Sequence, residues 1–85
     1  MNLLSILTFL SLWGCHPAAE IVSSDRTYYL DGVIHISVFS AEKFIHEAIH
    51  DCQFQKHGRA KTAEEWEARE REAHRIELAW RQRDV

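Results

Sequence analysis

Residues 40–58 read SAEKFIHEAIHDCQFQKHG. Ser40 suits the N-cap of a helix and Gly58 suits the position after its last turn, so the stretch predicts one helix that ends near His57. The histidines fall together on a polar side of this helix. The apolar residues recur at helical spacing on another side: Phe44, Ile45, Ala48, Ile49 and Cys52.

Residues 62–81 read TAEEWEAREREAHRIELAWR and open on a capping box, with Thr62 at the N-cap and Glu65 at the third helical position. This pattern predicts a second helix that ends near Arg81. The loop over residues 58–61 is short, and short loops join antiparallel neighbours. We therefore expect the two helices to pack side by side in opposite directions.

His46, Glu47 and His50 form an HExxH motif on the first helix. Residues four apart lie on one helical face, so the two imidazoles can chelate a single ion. Neutral imidazoles at this spacing suit Zn²⁺, and Glu47 can act as general base on a water bound there. A catalytic zinc site also needs a third protein ligand and an open position.

The second helix offers the third ligand. In an antiparallel pair Glu70 falls opposite His50, and helical phase places Glu70 within the apolar inward face. Glu77 shares that face but falls farther along the second helix, opposite Glu42. Glu72 points about 100° away from the centre of the inward face. His57 lies about 10.5 Å beyond His50 along the helix axis, too far to bind the same ion. Glu70 is therefore the predicted ligand, and Glu72, Glu77 and His57 are the alternatives.

From His46 to about Leu78 the chain resembles the gluzincin type of zinc metallopeptidase, in which an HExxH helix precedes a helix that carries a ligand glutamate. The stretch Glu70-Arg71-Glu72-Ala73-His74 is similar to the ExxA pattern of that second helix. Its Glu-x-Glu-Ala form looks like that of the IrrE/ImmA-type peptidases. The resemblance implies a minimal zincin-like core.

The resemblance also implies roles for single residues. Zinc would be bound by His46, His50 and Glu70, and Glu47 would polarise the attacking water. The family often has Asp or Asn four residues after the ligand glutamate, where its side chain bonds a ligand histidine. This chain has His74 at that position. His74 is therefore the candidate for contacting a metal-binding side chain without binding the metal itself.

Residues 27–30 and 33–38 are rich in β-branched and aromatic types and flank Asp31-Gly32, which predicts a β-hairpin with a two-residue turn. If residues 33–38 form a sheet edge, they can bind an extended peptide by strand addition. The expected fold class is α+β, a β-hairpin followed by an antiparallel pair of helices. Trp66 and Trp80 are expected in its core.

Residues 1–14 are predicted to be a signal peptide, because their apolar run is uncharged and too short for a membrane span. Leu12-Trp13-Gly14-Cys15 resembles the lipobox of bacterial lipoproteins, which implies cleavage before Cys15 and a lipid on that residue. Residues 15–85 would then form one small domain. A plain signal peptide or an N-terminal core helix is the alternative. With Cys15 lipidated, Cys52 is the only thiol and no intrachain disulfide is expected.

The composition of the chain argues against one class of function, nucleic-acid binding. The chain has 85 residues and a formal net charge of −3. A weakly acidic total argues against broad nucleic-acid binding, because that binding requires a clustered positive surface. We therefore expect no nucleic-acid partner. Contact with a membrane is expected only through an N-terminal lipid anchor, and the protein is expected to be exported to the cell envelope.

Two functions remain open. The first is a zinc-dependent metallopeptidase that hydrolyses a peptide or protein substrate, with Glu47 as general base. Tyr28, Tyr29 and His74 are then candidates for stabilising the oxyanion that peptide hydrolysis develops. The alternative is a small envelope lipoprotein that binds a partner without catalysis and carries a degenerate or structural HExxH site.

Overall fold

The computed structural model describes residues 3–83, which form three helices and a three-stranded mixed sheet. The expected α+β class is confirmed. In chain order the elements are α1 (Leu3–Leu12), β1 (Glu20–Ser23), β2 (Tyr28–Leu30), β3 (Val33–Ile36), α2 (Ala41–His57) and α3 (Ala63–Gln82).

The capping residues set the boundaries of α2 and α3, as expected from the sequence. The Ser40 hydroxyl accepts from the backbone N–H of Lys43, and the Thr62 hydroxyl accepts from that of Glu65. Gly58 ends α2 with φ +72°, a left-handed conformation that glycine adopts without strain. Both predicted helices are thus confirmed within about one residue of their predicted ends.

The sheet has the order β1-β3-β2. The β2 and β3 strands are antiparallel and are joined by Asp31 and Gly32, whose φ angles of +45° and +88° are those of a tight hairpin turn. On the other side of β3, β1 pairs parallel to it, with Ile21 opposite Ile34. The sequence did not predict β1, so the architecture is not simply a hairpin followed by two helices.

This topology corrects one expectation about ligand binding. Because β3 is hydrogen-bonded to a strand on each side, residues 33–36 cannot add a peptide as a further strand. Among residues 3–83, the outer edges of β1 and β2 are the sheet edges that no further strand pairs with. Residues of β2 also line a cavity beside α2, which makes β2 the edge nearest the HExxH helix.

The core lies where α2 packs against α3, the sheet and α1. Side-chain contacts between α2 and α3 run in opposite order along the two helices, from Glu42–Arg81 to His50–Glu70, so the helices are antiparallel. Trp80 is buried with 4% of its surface exposed, whereas Trp66 is 53% exposed. The expectation that Trp66 lies in the core is therefore wrong, and that for Trp80 is confirmed.

The N-terminal segment packs on this core in the full chain. Ile6 and Leu10 of α1 are completely buried, and Phe9 makes an edge-to-face contact with Trp80. This arrangement corresponds to the N-terminal core helix that the sequence left open. Removal of residues 1–14 as a signal peptide stays a prediction. Over residues 3–83, no helix combines the length and the hydropathy that crossing a membrane requires.

A disulfide joins Cys15 to Cys52 of α2, with the two Cα atoms 5.7 Å apart. The expectation of no intrachain disulfide is therefore wrong for this structure, because it assumed that a lipid on Cys15 leaves Cys52 without a partner. A sulfur that is bonded to another cysteine cannot also carry a lipid, so the two modifications of Cys15 exclude each other. Lipidation of Cys15 stays a prediction.

A buried aspartate, Asp51, holds the segment after Cys15 and strand β2 against α2. One of its carboxylate oxygens accepts from the backbone N–H groups of Ala18 and Ala19, and the other accepts from the Tyr29 hydroxyl at 2.6 Å. Gln55 donates a further hydrogen bond to Asp51 at 2.9 Å. Burial, and then the hydrogen bond to Asp51 and its charge, raise the pKa of Tyr29 well above its usual range.

Candidate metal centre

Three side-chain atoms converge between α2 and α3. Nε2 of His46 lies 3.2 Å from Nε2 of His50, and Oε1 of Glu70 lies 3.2 Å from the first and 2.5 Å from the second. Ligand atoms around one tetrahedral zinc with bonds of 2.0–2.1 Å are about 3.3 Å apart. The structure thus brings together the two HExxH histidines and the predicted third residue at a spacing suited to one ion.

Gln53 fixes the tautomer of His50. Its Nε2 donates to the backbone carbonyl of Arg69 at 3.1 Å and to Glu72 at 2.8 Å, so its Oε1 is the atom that faces Nδ1 of His50, 2.9 Å away. An amide oxygen only accepts, which means that Nδ1 of His50 carries a hydrogen. In a neutral His50 the lone pair is therefore on Nε2, which points at the convergence.

Glu77 fixes the tautomer of His46. Oε1 of Glu77 accepts from Nδ1 of His46 at 2.9 Å, which leaves the lone pair of a neutral His46 on Nε2. Metal-binding histidines commonly donate their other ring N–H to a carboxylate or carbonyl oxygen in this way. The sequence had placed Glu77 only among the alternative ligands and had not singled out the hydrogen-bonding role of Gln53.

Three electron-pair donors thus face one another within hydrogen-bonding distance. Such a cluster is repulsive unless a proton or a cation lies among its atoms. Two imidazoles and one carboxylate are also the donor set of many catalytic zinc sites. These side chains are therefore spatially able to hold one metal ion, and the identity of that ion as Zn²⁺ stays a prediction.

No family model, curated protein or solved structure matches this chain. The gluzincin resemblance accordingly stays an interpretation of the sequence, and the case for a metal site depends on the geometry described above.

The carboxyl group of Glu70 is held as an anion. Its burial alone would raise its pKa, but without a metal the charge of a protonated His46 and the hydrogen bonds that His50 and His46 donate in their protonated forms outweigh that effect and lower the pKa. A ligand carboxylate must be deprotonated to bind a metal. The environment of Glu70 therefore favours the protonation state that metal binding requires.

Glu47, the predicted general base, lies beside the convergence but not within it. Its carboxylate is within 4.8 Å of ring nitrogens of His46 and His50, and it has no hydrogen-bond or ion-pair partner within residues 3–83. Burial is the main cause of its raised pKa, and the charges of Glu70 and Glu77 raise it further against the opposing effect of the histidines. An uncommitted carboxylate with a raised pKa suits a group that accepts a proton.

His74 contacts the carboxylates of Glu70 and Glu77 and makes no hydrogen bond to either HExxH imidazole, which is the contact that the resemblance implied for its position. Its Nε2 lies 3.4 Å from Oε2 of Glu70 and its Nδ1 lies 3.5 Å from Oε1 of Glu77. The hydrogen bond to a histidine of the motif comes instead from Glu77, which accepts from Nδ1 of His46. Glu77 is seven positions after Glu70 and returns to the same face of α3.

The remaining candidates lie away from the convergence. Glu72 is bonded to Gln53, and no contact places His57 at the cluster within the described part of the chain. The Tyr29 hydroxyl is occupied by Asp51 and Gly32, and Tyr28 stacks on His35 of the sheet. The prediction that one of the two tyrosines supplies an oxyanion donor thus finds no support in these contacts.

The outer side of His50 borders a cavity of about 240 Å³. Leu30 and Phe54 contribute apolar walls to it, and the exposed ring of Trp66 stacks on the His50 imidazole with the two centroids 5.3 Å apart. The cavity lies between β2 and the loop that joins α2 to α3, since Arg59 also lines it. An apolar side chain of a ligand could therefore lie next to the candidate metal centre.

Proposed function

We propose that the protein is a minimal, gluzincin-like zinc metallopeptidase, exported to the cell envelope. The observation that carries the proposal is the convergence of His46, His50 and Glu70, with both imidazoles held so that their lone pairs point inward. Zn²⁺ bound there would polarise a peptide carbonyl and lower the pKa of a water molecule.

Glu47 is the residue that moves protons in this mechanism. Its carboxylate accepts a proton from the attacking water and later gives it to the amine of the leaving peptide. Its lack of a competing hydrogen-bond partner within residues 3–83 leaves the carboxylate free for this transfer. Glu77 and Gln53 keep the two imidazoles oriented throughout.

The substrate class is a peptide or protein segment in extended conformation. The outer edge of strand β2 pairs with no other strand of the described chain, and its residues Tyr29 and Leu30 line the cavity beside His50. A segment that pairs with this edge would place a side chain in that cavity, with main-chain hydrogen bonds giving affinity and the apolar walls giving preference for an apolar side chain.

The alternative is a partner-binding envelope protein in which the same residues hold a structural metal or none. It is favoured by one observation, that Tyr29, a sequence candidate for oxyanion stabilisation, donates its hydroxyl hydrogen to Asp51. Peptide hydrolysis needs a donor that faces the developing oxyanion. His74, whose ring faces Glu70 and Glu77, is the candidate that remains for this role.

Metal analysis of the full chain tests the first step of the proposal. We expect about one zinc per chain, lost on substitution His50→Ala or Glu70→Gln. Glu67→Gln is the matched control, because Glu67 is an exposed carboxylate on the same helix. A folded protein that binds no zinc, or that binds it equally well in the Glu70→Gln variant, contradicts the proposed centre.

Glu47→Gln separates the peptidase from the binding protein. In a peptidase this change should abolish cleavage of an unfolded protein substrate such as casein and leave zinc stoichiometry unchanged, because Glu47 is not a ligand. Zinc bound by the parent protein without any cleavage across a broad peptide library would favour the alternative.

A further inference from the structure

A second cavity, of about 590 Å³, lies along the two long helices on the side of the disulfide. One wall comes from α2 over residues 49–57 and the other from α3 over residues 68–76, and residues 13–16 complete the lining. Both cysteines of the disulfide line it, so we call this cavity the disulfide groove. None of the three predicted zinc ligands lines it, which makes it distinct from the candidate metal centre.

Positive charge collects in the disulfide groove although the chain as a whole is acidic. Three of the ten Lys and Arg residues line it, against one of the thirteen Asp and Glu residues. The cations are Lys56, Arg69 and Arg75. The one acid, Glu72, accepts a hydrogen bond from Gln53 at 2.8 Å. An anionic ligand would therefore meet a favourable electrostatic potential in the groove.

The three cations have no carboxylate partner. Within residues 3–83 the arginines that form ion pairs are Arg59 and Arg81, neither of which lines the groove. Arg69 donates to the backbone carbonyl of Gly58 at 2.7 Å, and this group carries no charge. The guanidinium of Arg75 lies 5.9 Å from the centroid of a neutral indole ring. Their positive charges thus remain available to an anion.

The spacing of the cations favours an extended chain over a single small anion. Arg69 and Arg75 are separated by about 9 Å along the axis of α3, and the whole groove covers about 12 Å of helix. Side chains on one face of an extended peptide are about 6.8 Å apart, so the long arginine side chains can reach two successive ones. Ile49 and Ile76 add apolar surface to the same lining. A recess of this shape suits a peptide better than the flat surface of a bilayer.

We propose that the disulfide groove binds an acidic peptide segment in extended conformation. Carboxylates on alternate residues of this segment pair with Arg69 and Arg75, and Lys56 adds a third positive charge. The inference goes beyond the proposed function, because such a groove can serve a peptidase and a non-catalytic binding protein alike. Its cations belong to α2 and α3, so they remain if residues 1–14 are removed as a signal peptide.

Fluorescence anisotropy of a labelled peptide of alternating Glu and Val tests the groove, with the metal-free full chain at low ionic strength. Lys56→Gln/Arg75→Gln should weaken binding by roughly 3- to 20-fold. Arg26→Gln/Lys43→Gln is the matched control, because it removes the same charge at two exposed positions outside the groove. It should bind the peptide as the parent does. Circular dichroism of each variant reports whether the fold is retained.

The same assay contains the outcomes that would overturn the proposal. They are equal weakening in both double variants, or equal binding of a peptide with Gln in place of Glu. Displacement of the peptide by inorganic phosphate at equal concentration would overturn the extended segment, because a single anion would then suffice. Tighter binding of anionic lipid vesicles, lost in Lys56→Gln/Arg75→Gln, would assign the groove to a membrane surface instead.

One further variant keeps this inference separate from the proposed function. His50→Ala removes a predicted zinc ligand that does not line the disulfide groove, so it should lose zinc and keep peptide binding. Loss of peptide binding in folded His50→Ala would place the peptide at the metal centre and overturn the groove. Peptide binding by a parent protein that takes up no zinc would overturn the proposed function and support the groove.

Discussion

The imidazole of His46 and the carboxylate of Glu77 join the two long helices through a hydrogen bond of 2.9 Å between Nδ1 and Oε1. His46 lies on α2 and is the first histidine of the HExxH motif, and Glu77 lies two turns after Glu70 on α3. Because residues seven apart share a helical face, Glu77 and Glu70 both point toward the HExxH histidines, two turns apart along α3. This pair sets which nitrogen of His46 is available to a metal.

The first prediction concerns this pair. Glu77→Ala removes the acceptor of the His46 N–H, so the imidazole becomes free to rotate and the affinity for zinc should fall by about 10- to 100-fold. Competition with a chromophoric chelator measures that affinity. Glu64→Ala, an exposed carboxylate in the first turn of α3, is the control and should leave it unchanged. Equal affinities in both variants would remove Glu77 from the site.

Gln53 carries the corresponding role for His50. In Gln53→Leu the Nδ1 hydrogen of His50 loses its acceptor, and the carbonyl of Arg69 loses its donor. We expect zinc affinity about 10-fold weaker and a free energy of unfolding lower by about 1–3 kcal/mol. Gln53→Glu keeps an acceptor for His50 and should retain most of the affinity. Urea unfolding and chelator competition on the same preparations separate the two effects.

Tyr29 makes stability depend on pH. Its pKa is raised in the folded state, so its stabilising contribution is complete below about pH 10, the unfolded value, and is lost as the pH rises above it. Tyr29→Phe should lower the free energy of unfolding by about 1–2 kcal/mol at pH 8. The difference between the parent and this variant should shrink between pH 8 and pH 11. A constant difference across that range would show that the hydroxyl proton is not the cause.

The Cys15–Cys52 disulfide should stabilise the fold. It closes a loop with a sequence separation of 37, for which loop-closure entropy corresponds to roughly 3–4 kcal/mol. The double variant Cys15→Ser/Cys52→Ser should therefore unfold at a lower urea concentration than the oxidised parent. The reduced parent is the matched comparison and should resemble the double variant. Mass analysis of the protein purified from its own cells shows whether Cys15 carries the disulfide or a lipid.

The two long helices and three of the residues at the centre could be predicted because the signals for them are local. Ser40 and Thr62 mark helix starts through hydrogen bonds to residues three positions on. The spacing of four between His46 and His50 fixes a shared face, and the short loop fixes the register that brings Glu70 opposite His50.

The features that were missed depend on contacts between distant parts of the chain. The parallel pairing of β1 with β3 has no turn signal, since parallel neighbours need a crossover and are chosen by tertiary packing. Trp66 lies on the side of α3 where it stacks on His50, so helical phase alone placed it wrongly in the core. Gln53 gives no motif signal, because an amide that supports a ligand is recognised only by its partners.

Cys52 and His50 are two residues apart on α2, and residues at that spacing point to nearly opposite sides of a helix. On one side, the Cys52 disulfide links α2 covalently to the N-terminal segment. On the other side, a metal bound by His50 and Glu70 would link α2 to α3. A reductant would break the disulfide, and a chelator would remove the metal. The chain can thus exist in four chemical states, oxidised or reduced and with or without metal. We expect resistance to proteolysis to increase with the number of these two links, disulfide and metal, that a state retains.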